Sequence, residues 1–182
     1  MNFSINIYKI QSLILLLLIN SAGFAQESVL KINQPAPIFV LKSTENKYVY
    51  LRDFCGELRP PTINKKQHVV IVSFFASWCK PCLKEIDELK RVLLSFRNTN
   101  LILFLIDLKE NKSVVDKFVR QYNLPGTVLL DKYGVAAKKY GVTTLPRLFV
   151  INKNGILVWK TKGYQTNLVD EITIVLKKVL SN

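Results

Sequence analysis

A continuous apolar run, Val69–Phe75, constrains the fold of this chain more than any other feature. Its β-branched and aromatic residues are typical of a strand that is buried on both faces, as in a parallel or mixed sheet. From Pro81 onward, apolar residues recur at helical spacing with Lys, Glu and Asp between them. The sequence therefore predicts a strand that passes into an amphipathic helix, with Cys79 and Cys82 at the junction.

The remainder of the chain alternates between strand and helix patterns. The predicted elements, in order, are a hairpin over Val40–Asp53, strands at Val69–Phe75, Leu101–Ile106 and Val128–Leu130, a short helix at Val135–Tyr140, a hairpin of Arg147–Ile151 and Ile156–Lys160 around Asn154-Gly155, and a final helix from Thr166 or Asn167. This order predicts an α/β fold in which helices cover both faces of a mixed central sheet, with an added N-terminal β-hairpin.

One further helix is predicted from its start signal. Ser113 and Asp116 have the spacing of a capping box, so we expect a helix to open at Ser113. This helix is expected to bury four apolar residues: Val114, Val115, Phe118 and Val119.

The first 25 residues differ from the rest of the chain. Lys9 is their only charge, Ile10–Ile19 is mostly apolar, and Gly23-Phe24-Ala25 offers small residues before a cleavage point. The apolar run is shorter than the ~20 residues of a membrane-spanning helix. The sequence therefore predicts a signal peptide at 1–25, cleavage near Ala25, one domain at 26–182, and a periplasmic or otherwise exported location. An uncleaved membrane anchor is the alternative.

The chain is strongly basic, with a formal net charge of +13. The excess is spread along the sequence rather than gathered into an arm or a recognition helix. We therefore expect no nucleic-acid binding, and we expect the basic surface to keep the domain soluble and to allow weak contact with an anionic membrane surface.

Cys79 and Cys82 are predicted to be a redox pair. Residues i and i+3 in the first turn of a helix lie close enough for a disulfide. The free N–H groups and partial positive charge of a helix N-terminus lower the pKa of the first cysteine. Cys79 is therefore the predicted nucleophile and Cys82 the resolving thiol, while Lys80 is expected to stabilise the thiolate further.

Zinc binding is an alternative for this pair. It requires further ligands, and the other candidates are Cys55 and His68. His68 should begin the strand that Cys79 follows, which places the two at opposite ends of the sheet. No nucleotide, flavin or metal motif can be read, so no cofactor is expected. Cys55 is interpreted as a small buried residue, with a regulatory disulfide to Cys79 or Cys82 as the alternative.

A family resemblance adds to these inferences. The segment Phe75-Ala-Ser-Trp-Cys-Lys-Pro-Cys82, followed by Leu145-Pro146 before a strand and an Asn-Gly hairpin, resembles the thioredoxin superfamily. Within it, the segment is similar to the TlpA/ResA-type exported reductases, which are related to the AhpC/TSA-Redoxin group. The resemblance extends from about Pro35 to the C-terminus and implies a thioredoxin-like fold.

The resemblance also implies roles for three residues beside the cysteines. Pro146 is expected to follow a cis peptide bond and to face the pair. Glu85 matches a functional glutamate of the family, with a solvated position on the helix surface as the alternative. Trp78 is expected to shield the pair and to offer partners an apolar contact.

The implied activity is that of a protein thiol-disulfide oxidoreductase that reduces disulfides in partner proteins, apocytochrome c among them. An exported reductase must then be re-reduced, and we expect a membrane electron donor to do this. The polar Glu57–Gln67 insertion departs from the short connection usual in the family, and we expect this loop to shape what approaches the site.

Three other functions remain open. A thiol peroxidase is disfavoured because Ala76 stands where such enzymes place Thr or Ser. A non-enzymatic metal-binding module is disfavoured because His68, the only histidine, lies upstream of the cysteines. An oxidant rather than a reductant is favoured by Lys80 and opposed by Glu85.

Overall fold

The computed structural model of the protein describes residues 30–60 and 65–181. The predicted signal at 1–25 and its cleavage near Ala25 lie outside the described residues, as does the middle of the Glu57–Gln67 insertion. No helix in the described part of the chain is long and apolar enough to cross a membrane.

Strands and helices alternate as the hydrophobic patterns predict. Within the described ranges the elements are β1 (Val40–Ser43), β2 (Tyr48–Tyr50), a single 3₁₀ turn (Leu51–Asp53), β3 (Val69–Phe75), α1 (Lys80–Ser95), β4 (Leu101–Leu108), α2 (Lys112–Tyr122), β5 (Thr127–Asp131), α3 (Val135–Lys139), β6 (Arg147–Ile151), β7 (Leu157–Lys162) and α4 (Leu168–Leu180). The strands form one mixed sheet in the order β2-β1-β5-β4-β3-β6-β7. β3, β4 and β5 are parallel, whereas the N-terminal hairpin and the β6–β7 hairpin are antiparallel additions.

The sheet separates two apolar clusters. Side chains of β3 alternate between the faces, so Ile71 and Phe75 pack in one cluster and Val72 and Phe74 in the other. The first cluster lies under α1, α2 and α4, and the second lies under α3 and the N-terminal segment. The predicted fold class, an α/β sandwich around a mixed sheet with an added hairpin, is confirmed.

The predicted start of α2 is wrong. The helix begins at Lys112, so Ser113 lies inside its first turn, and the carboxylate of Asp116 accepts from Lys112 at 2.6 Å instead of serving a capping box. Val114 is exposed, because the buried stripe is centred on Val115 and Phe118 and the preceding residue points away from it.

The described flanks of the Glu57–Gln67 insertion lie at the end of β3 opposite the cysteine pair. The Gln67 side-chain amide donates to the Gly56 carbonyl at 2.7 Å, and the Gly56 N–H donates to the Lys153 carbonyl at 2.8 Å. Lys153 belongs to the β6–β7 turn, at the end of the sheet where β3 begins. These flanks therefore do not border the cysteines, and the expectation that this loop shapes the approach to the site stays a prediction.

Candidate functional site

The cysteine pair occupies the junction between β3 and α1, as predicted. Cys79 is the N-terminal cap residue of α1, and Cys82 lies in its first turn with its N–H donating to the Cys79 carbonyl at 3.0 Å. The two residues form a disulfide, and their Cα atoms are 5.3 Å apart. Cys79 is 4% exposed and Cys82 is 1% exposed. Cys79, the more exposed of the two cysteines, therefore lies at the positive end of the helix dipole, where a thiolate is stabilised.

The residues between and before the cysteines form the surface of the site. Lys80 and Pro81 are exposed, and Trp78 is 70% exposed. Most of the indole is therefore free to contact another molecule. Shielding of the sulfurs by Trp78 stays a prediction, because the core cluster beneath the pair already accounts for their burial.

Pro146 lies at the same end of the sheet as the cysteine pair. Arg147 pairs with Phe74, which places Pro146 level with Phe75, the last residue of β3. The Leu145–Pro146 peptide bond is cis, which confirms that part of the prediction. Pro146 is buried, and its carbonyl accepts from the Gly163 N–H at 3.0 Å.

Glu85 is buried beneath the pair. It is 1% exposed, so the alternative of a solvated surface glutamate is wrong. It follows Cys82 by three residues on the same side of α1, and its Oε1 accepts from the Ser73 hydroxyl at 2.7 Å. Its Oε2 has no hydrogen-bond partner among the described residues. Burial, opposed by the Ser73 hydrogen bond and aided by the charge of Glu88, raises the pKa of Glu85 to about 7.

A carboxylate that sequence reasoning missed holds the turn before Cys79. Glu110 accepts from the Ser77 N–H and from the Ser77 hydroxyl, both at 2.6 Å, and the Glu110 N–H donates to Asp107 at 3.1 Å. Asp107 is fully buried at the end of β4. The sequence did contain a signal for these carboxyl groups. Asp107 lies near the end of an apolar strand, and the carboxyl end of that strand must lie beside the carboxyl end of β3.

The ionisation of these two carboxyl groups is coupled. Burial, the neighbouring Glu110 and the charge of Asp131 raise the pKa of Asp107 to about 8. Burial alone would raise the pKa of Glu110, but the hydrogen bonds from Asp107 and Ser77 outweigh it and hold that pKa below its ordinary value. At neutral pH, Asp107 is therefore largely protonated, and Glu110 carries the negative charge beside the turn that precedes Cys79.

Cys55 and His68 are not part of this site. Cys55 is a free thiol in the cluster on the other face of the sheet, and burial raises its pKa to about 12. A disulfide from Cys55 to Cys79 or Cys82 is excluded by the intervening sheet. His68 precedes β3, whereas Cys79 follows it, so the predicted separation of the two is confirmed. Within residues 30–60 and 65–181 there is no group of three or more His, Cys, Asp or Glu side chains that could hold a metal ion.

Comparisons with known proteins agree with this geometry. The AhpC/TSA family model matches residues 32–160. The thiol-disulfide oxidoreductase ResA of Bacillus thuringiensis subsp. konkukian is 32% identical over 174 residues, which cover 92% of this chain and 93% of that protein.

Solved structures share the fold. A Chlorobium tepidum protein assigned as a thiol:disulfide interchange protein DsbE matches with a TM-score of 0.72 at 24% identity, over 83% of this chain and 99% of that chain. The thioredoxin domain of a thiol-disulfide oxidoreductase from Bacteroides vulgatus matches with a TM-score of 0.68 at 19% identity, over 82% and 99% respectively. With its Cys79–Cys82 pair at the strand-to-helix junction, this chain belongs to the AhpC/TSA family and, within it, to the ResA-type thiol-disulfide oxidoreductases.

Proposed function

We propose that this thiol-disulfide oxidoreductase reduces disulfides in exported partner proteins, with Cys79 as the attacking thiol and Cys82 as the resolving thiol. The observation that carries the proposal is the placement of Glu85: a buried carboxylate with a raised pKa lies one helical turn behind the inner cysteine. A group that ionises near neutral pH at this position can take the proton from Cys82 when the mixed disulfide must be resolved.

The proposed reaction has two exchange steps. The Cys79 thiolate attacks one sulfur of the partner disulfide, the partner S–S bond breaks, and the displaced sulfur leaves as a thiolate that takes a proton from water. Cys82 then gives its proton to Glu85 and attacks the Cys79 sulfur, and the bond between Cys79 and the partner breaks. The second partner sulfur leaves as a thiolate and is protonated, so two electrons have passed to the partner and the Cys79–Cys82 disulfide has formed.

The charges near the pair favour a reductant. Glu85 lies behind Cys82, and the charged Glu110 is bonded to Ser77, two residues before Cys79. Negative charge at these positions opposes thiolate formation and so destabilises the reduced form, which makes the pair a better electron donor. Lys80 acts in the opposite sense, but its side chain is exposed and its effect is screened by solvent.

Leu145, Pro146 and Trp78 support docking of a partner. The cis Leu145–Pro146 bond lies at the end of the sheet beside the pair, where an extended partner segment can lie against the backbone. We assign this role to Pro146 and the role of an apolar contact to Trp78, whose indole is exposed.

The location and the partners follow from the sequence and the family. The predicted signal at 1–25 would export the domain at 26–182 to the periplasm or an equivalent compartment. There a membrane electron donor would re-reduce the pair, and apocytochrome c is one candidate substrate. ResA-type relatives named as thiol-disulfide oxidoreductases support the reaction itself.

A trapping experiment tests the proposal. Cys82→Ser, in reduced form, should accumulate a mixed disulfide between Cys79 and a disulfide-containing protein, because the resolving thiol is absent. Cys79→Ser is the matched control and should trap nothing, although Cys82 is present. Adducts should be located by mass spectrometry of non-reduced digests. Equal trapping by both variants, or adducts on Cys55, would contradict the assigned roles.

A further inference from the structure

The exposed charged residues in the segments that border the cysteine pair are all lysines. The segments that surround the pair follow the carboxyl ends of β3, β4 and β5 or flank β6 and β7 at the same end: residues 76–84, 109–112, 132–134, 143–147 and 162–167. Their exposed charged residues are five lysines: Lys80, Lys84, Lys109, Lys132 and Lys162. We refer to these five as the lysine rim.

The carboxylates in these segments or directly next to them point inward or are occupied, whereas the exposed Asp87 and Asp170 lie further along α1 and α4. Glu85, Asp107 and Asp131 are buried, and Asp131 accepts from the Ala137 N–H at 2.8 Å. Glu110 is half-buried, and both of its carboxylate oxygens accept hydrogen bonds from Ser77. None of these groups therefore neutralises the lysine rim at the surface.

The lysine rim has no ion-pair partner within the described residues. In the described part of the chain, side-chain ion pairs are seen at Lys47, Arg52, Arg59, Lys90, Arg91 and Lys112, none of which belongs to the rim. Two rim lysines lie over aromatic rings instead: the Lys84 ammonium is 5.9 Å from the Tyr164 ring centroid, and that of Lys132 is 5.6 Å from the Tyr133 centroid. Trp78, which is also exposed, directly precedes Cys79 in the same segment as Lys80.

We infer that the lysine rim selects partner proteins whose target disulfide is flanked by acidic side chains. This inference rests on the proposed function and names its substrate class. Charge complementarity speeds encounter and suppresses partners of like charge, and it acts most strongly when it surrounds the reacting atoms. Trp78 supplies the apolar contact at the centre of the same surface.

An acidic protein fits this surface better than an anionic membrane does. The lysine rim lies at the same end of the sheet as the cysteines, so a bilayer lying on it would cover Trp78 and the pair and would keep a partner disulfide away. A protein segment carrying its disulfide between acidic residues can occupy the lysine rim and present its sulfur to Cys79 in one arrangement.

The test compares three disulfide peptides of identical core, flanked by Glu, by Ser or by Lys. The second-order rate at which the reduced protein reduces each peptide should be measured from 10 mM to 1 M NaCl, over which the Debye length falls from ~30 Å to ~3 Å. We expect the Glu peptide to react about tenfold faster than the Lys peptide at low salt, and the preference to vanish at high salt.

Two double variants carry the same change in net charge. Lys84→Glu/Lys162→Glu alters the lysine rim without touching the residues between the cysteines and should reverse the peptide preference. Lys177→Glu/Lys178→Glu alters exposed residues in the last turn of α4 and should leave it intact. The ratio of the Glu-peptide rate to the Lys-peptide rate is compared within each variant, and the rate with the Ser peptide serves as the internal reference for its redox chemistry.

The outcomes separate the inference from the proposed function. Reduction of no peptide at all would contradict the proposed function. Equal rates for the Glu and Lys peptides, or a preference lost equally in both double variants, would overturn the lysine rim as a selective surface. Binding to phosphatidylglycerol vesicles that is lost with the rim variant, without any peptide preference, would assign the surface to membrane contact and also overturn the inference.

Discussion

Glu85 is the buried side chain to which we assign proton transfer in the exchange reaction. Its carboxyl group has one fixed hydrogen-bond donor, the Ser73 hydroxyl at 2.7 Å, and burial raises its pKa to about 7. The group is therefore half-ionised at neutral pH and can both accept and return a proton beside Cys82. In the role that we propose, Glu85 would accept a proton only in a narrow and testable pH range.

Replacement of Glu85 by Gln should remove that ionisation. We expect the resolution step to slow by about 100-fold and its pH profile to lose the inflection near pH 7, because the neutral amide cannot take the proton of Cys82. Rapid-quench measurement of the mixed-disulfide lifetime from pH 5 to pH 9 provides the readout. Ser73→Ala is a graded control: the inflection should remain but move upward, since the hydrogen bond from Ser73 lowers the pKa of Glu85. An unchanged profile in Glu85→Gln would rule out this role.

Glu110 should matter for the rigidity of the turn before Cys79. Replacing Glu110 with Ala removes the acceptor of two Ser77 hydrogen bonds, and we expect a loss of about 1–3 kcal/mol in the free energy of unfolding. Urea unfolding of the oxidised protein measures the effect. Glu45→Ala, which removes an exposed carboxylate far from the site, should change stability by less than about 0.5 kcal/mol. Equal effects of the two substitutions would contradict the assignment.

At this scale the sequence predicted where the cysteine pair and Pro146 lie but not the contacts that support them. Cys79, Cys82 and Pro146 were located because their spacing and the X-Pro bond have local geometric meaning. The burial of Glu85 and the Ser77–Glu110 contact depend on packing between elements far apart in sequence. A glutamate beside buried Ile86 on a helix can face either core or solvent, and only the assembled sheet decides between them.

At the scale of elements, the sheet divides the three cysteines. The Cys79–Cys82 pair belongs to the cluster under α1, and Cys55 belongs to the cluster on the opposite face. Cys55 is 2% exposed, and burial raises the pKa of its thiol to about 12. It is therefore expected to take no part in exchange.

This separation predicts two classes of thiol in the reduced protein. A water-soluble maleimide should modify Cys79, whose thiolate the helix N-terminus stabilises, and should modify Cys55 only after unfolding in denaturant, because a buried, protonated thiol is a poor nucleophile. Peptide mapping at pH 7 distinguishes the sites. The expected pattern is lost if Cys55 is modified in the native protein as fast as Cys79.

Most element types were predictable because hydrophobic periodicity reports burial directly. Val69–Phe75 and Arg147–Ile151 were predicted with the bounds that the structure has. The start of α2 was not, because the Ser113–Asp116 spacing is also compatible with a helix that begins one residue earlier, where Lys112 takes the carboxylate. Helix ends are decided by such competing side-chain contacts, which a spacing rule does not rank.

At the scale of the whole molecule, raised carboxyl pKa values link folding to pH. Glu85 and Asp107 both bind protons more tightly in the folded state than in the unfolded chain, with folded pKa values of about 7 and about 8. The stability that they contribute is thus complete below their unfolded pKa values, ~4, and is lost as pH rises through the folded ones. The pKa of Glu110 is lowered, so the stability that Glu110 contributes is present at neutral pH and is lost as the pH falls into the acidic range.

The oxidised protein should consequently be less stable at pH 8.5 than at pH 5. Glu85 alone should contribute a decrease of about 3 kcal/mol in the free energy of unfolding. Urea titrations in a Cys55→Ala background, which prevents disulfide scrambling, test this. The double variant Glu85→Gln/Asp107→Asn should flatten the dependence over the same range. A wild-type protein that gains stability from pH 5 to pH 8.5 would show that these carboxyl groups are not buried as described.

The equilibrium reduction potential of the Cys79–Cys82 pair tests the central claim most directly. It should be measured in the Cys55→Ala background by equilibration with thiol-disulfide buffers and quantification of both redox forms by mass spectrometry. Carboxylates beside the pair predict a single two-electron transition near that of thioredoxin, about −270 mV. A potential near that of DsbA, about −120 mV, would make the protein an oxidant, and the absence of a two-electron transition would contradict the redox role altogether.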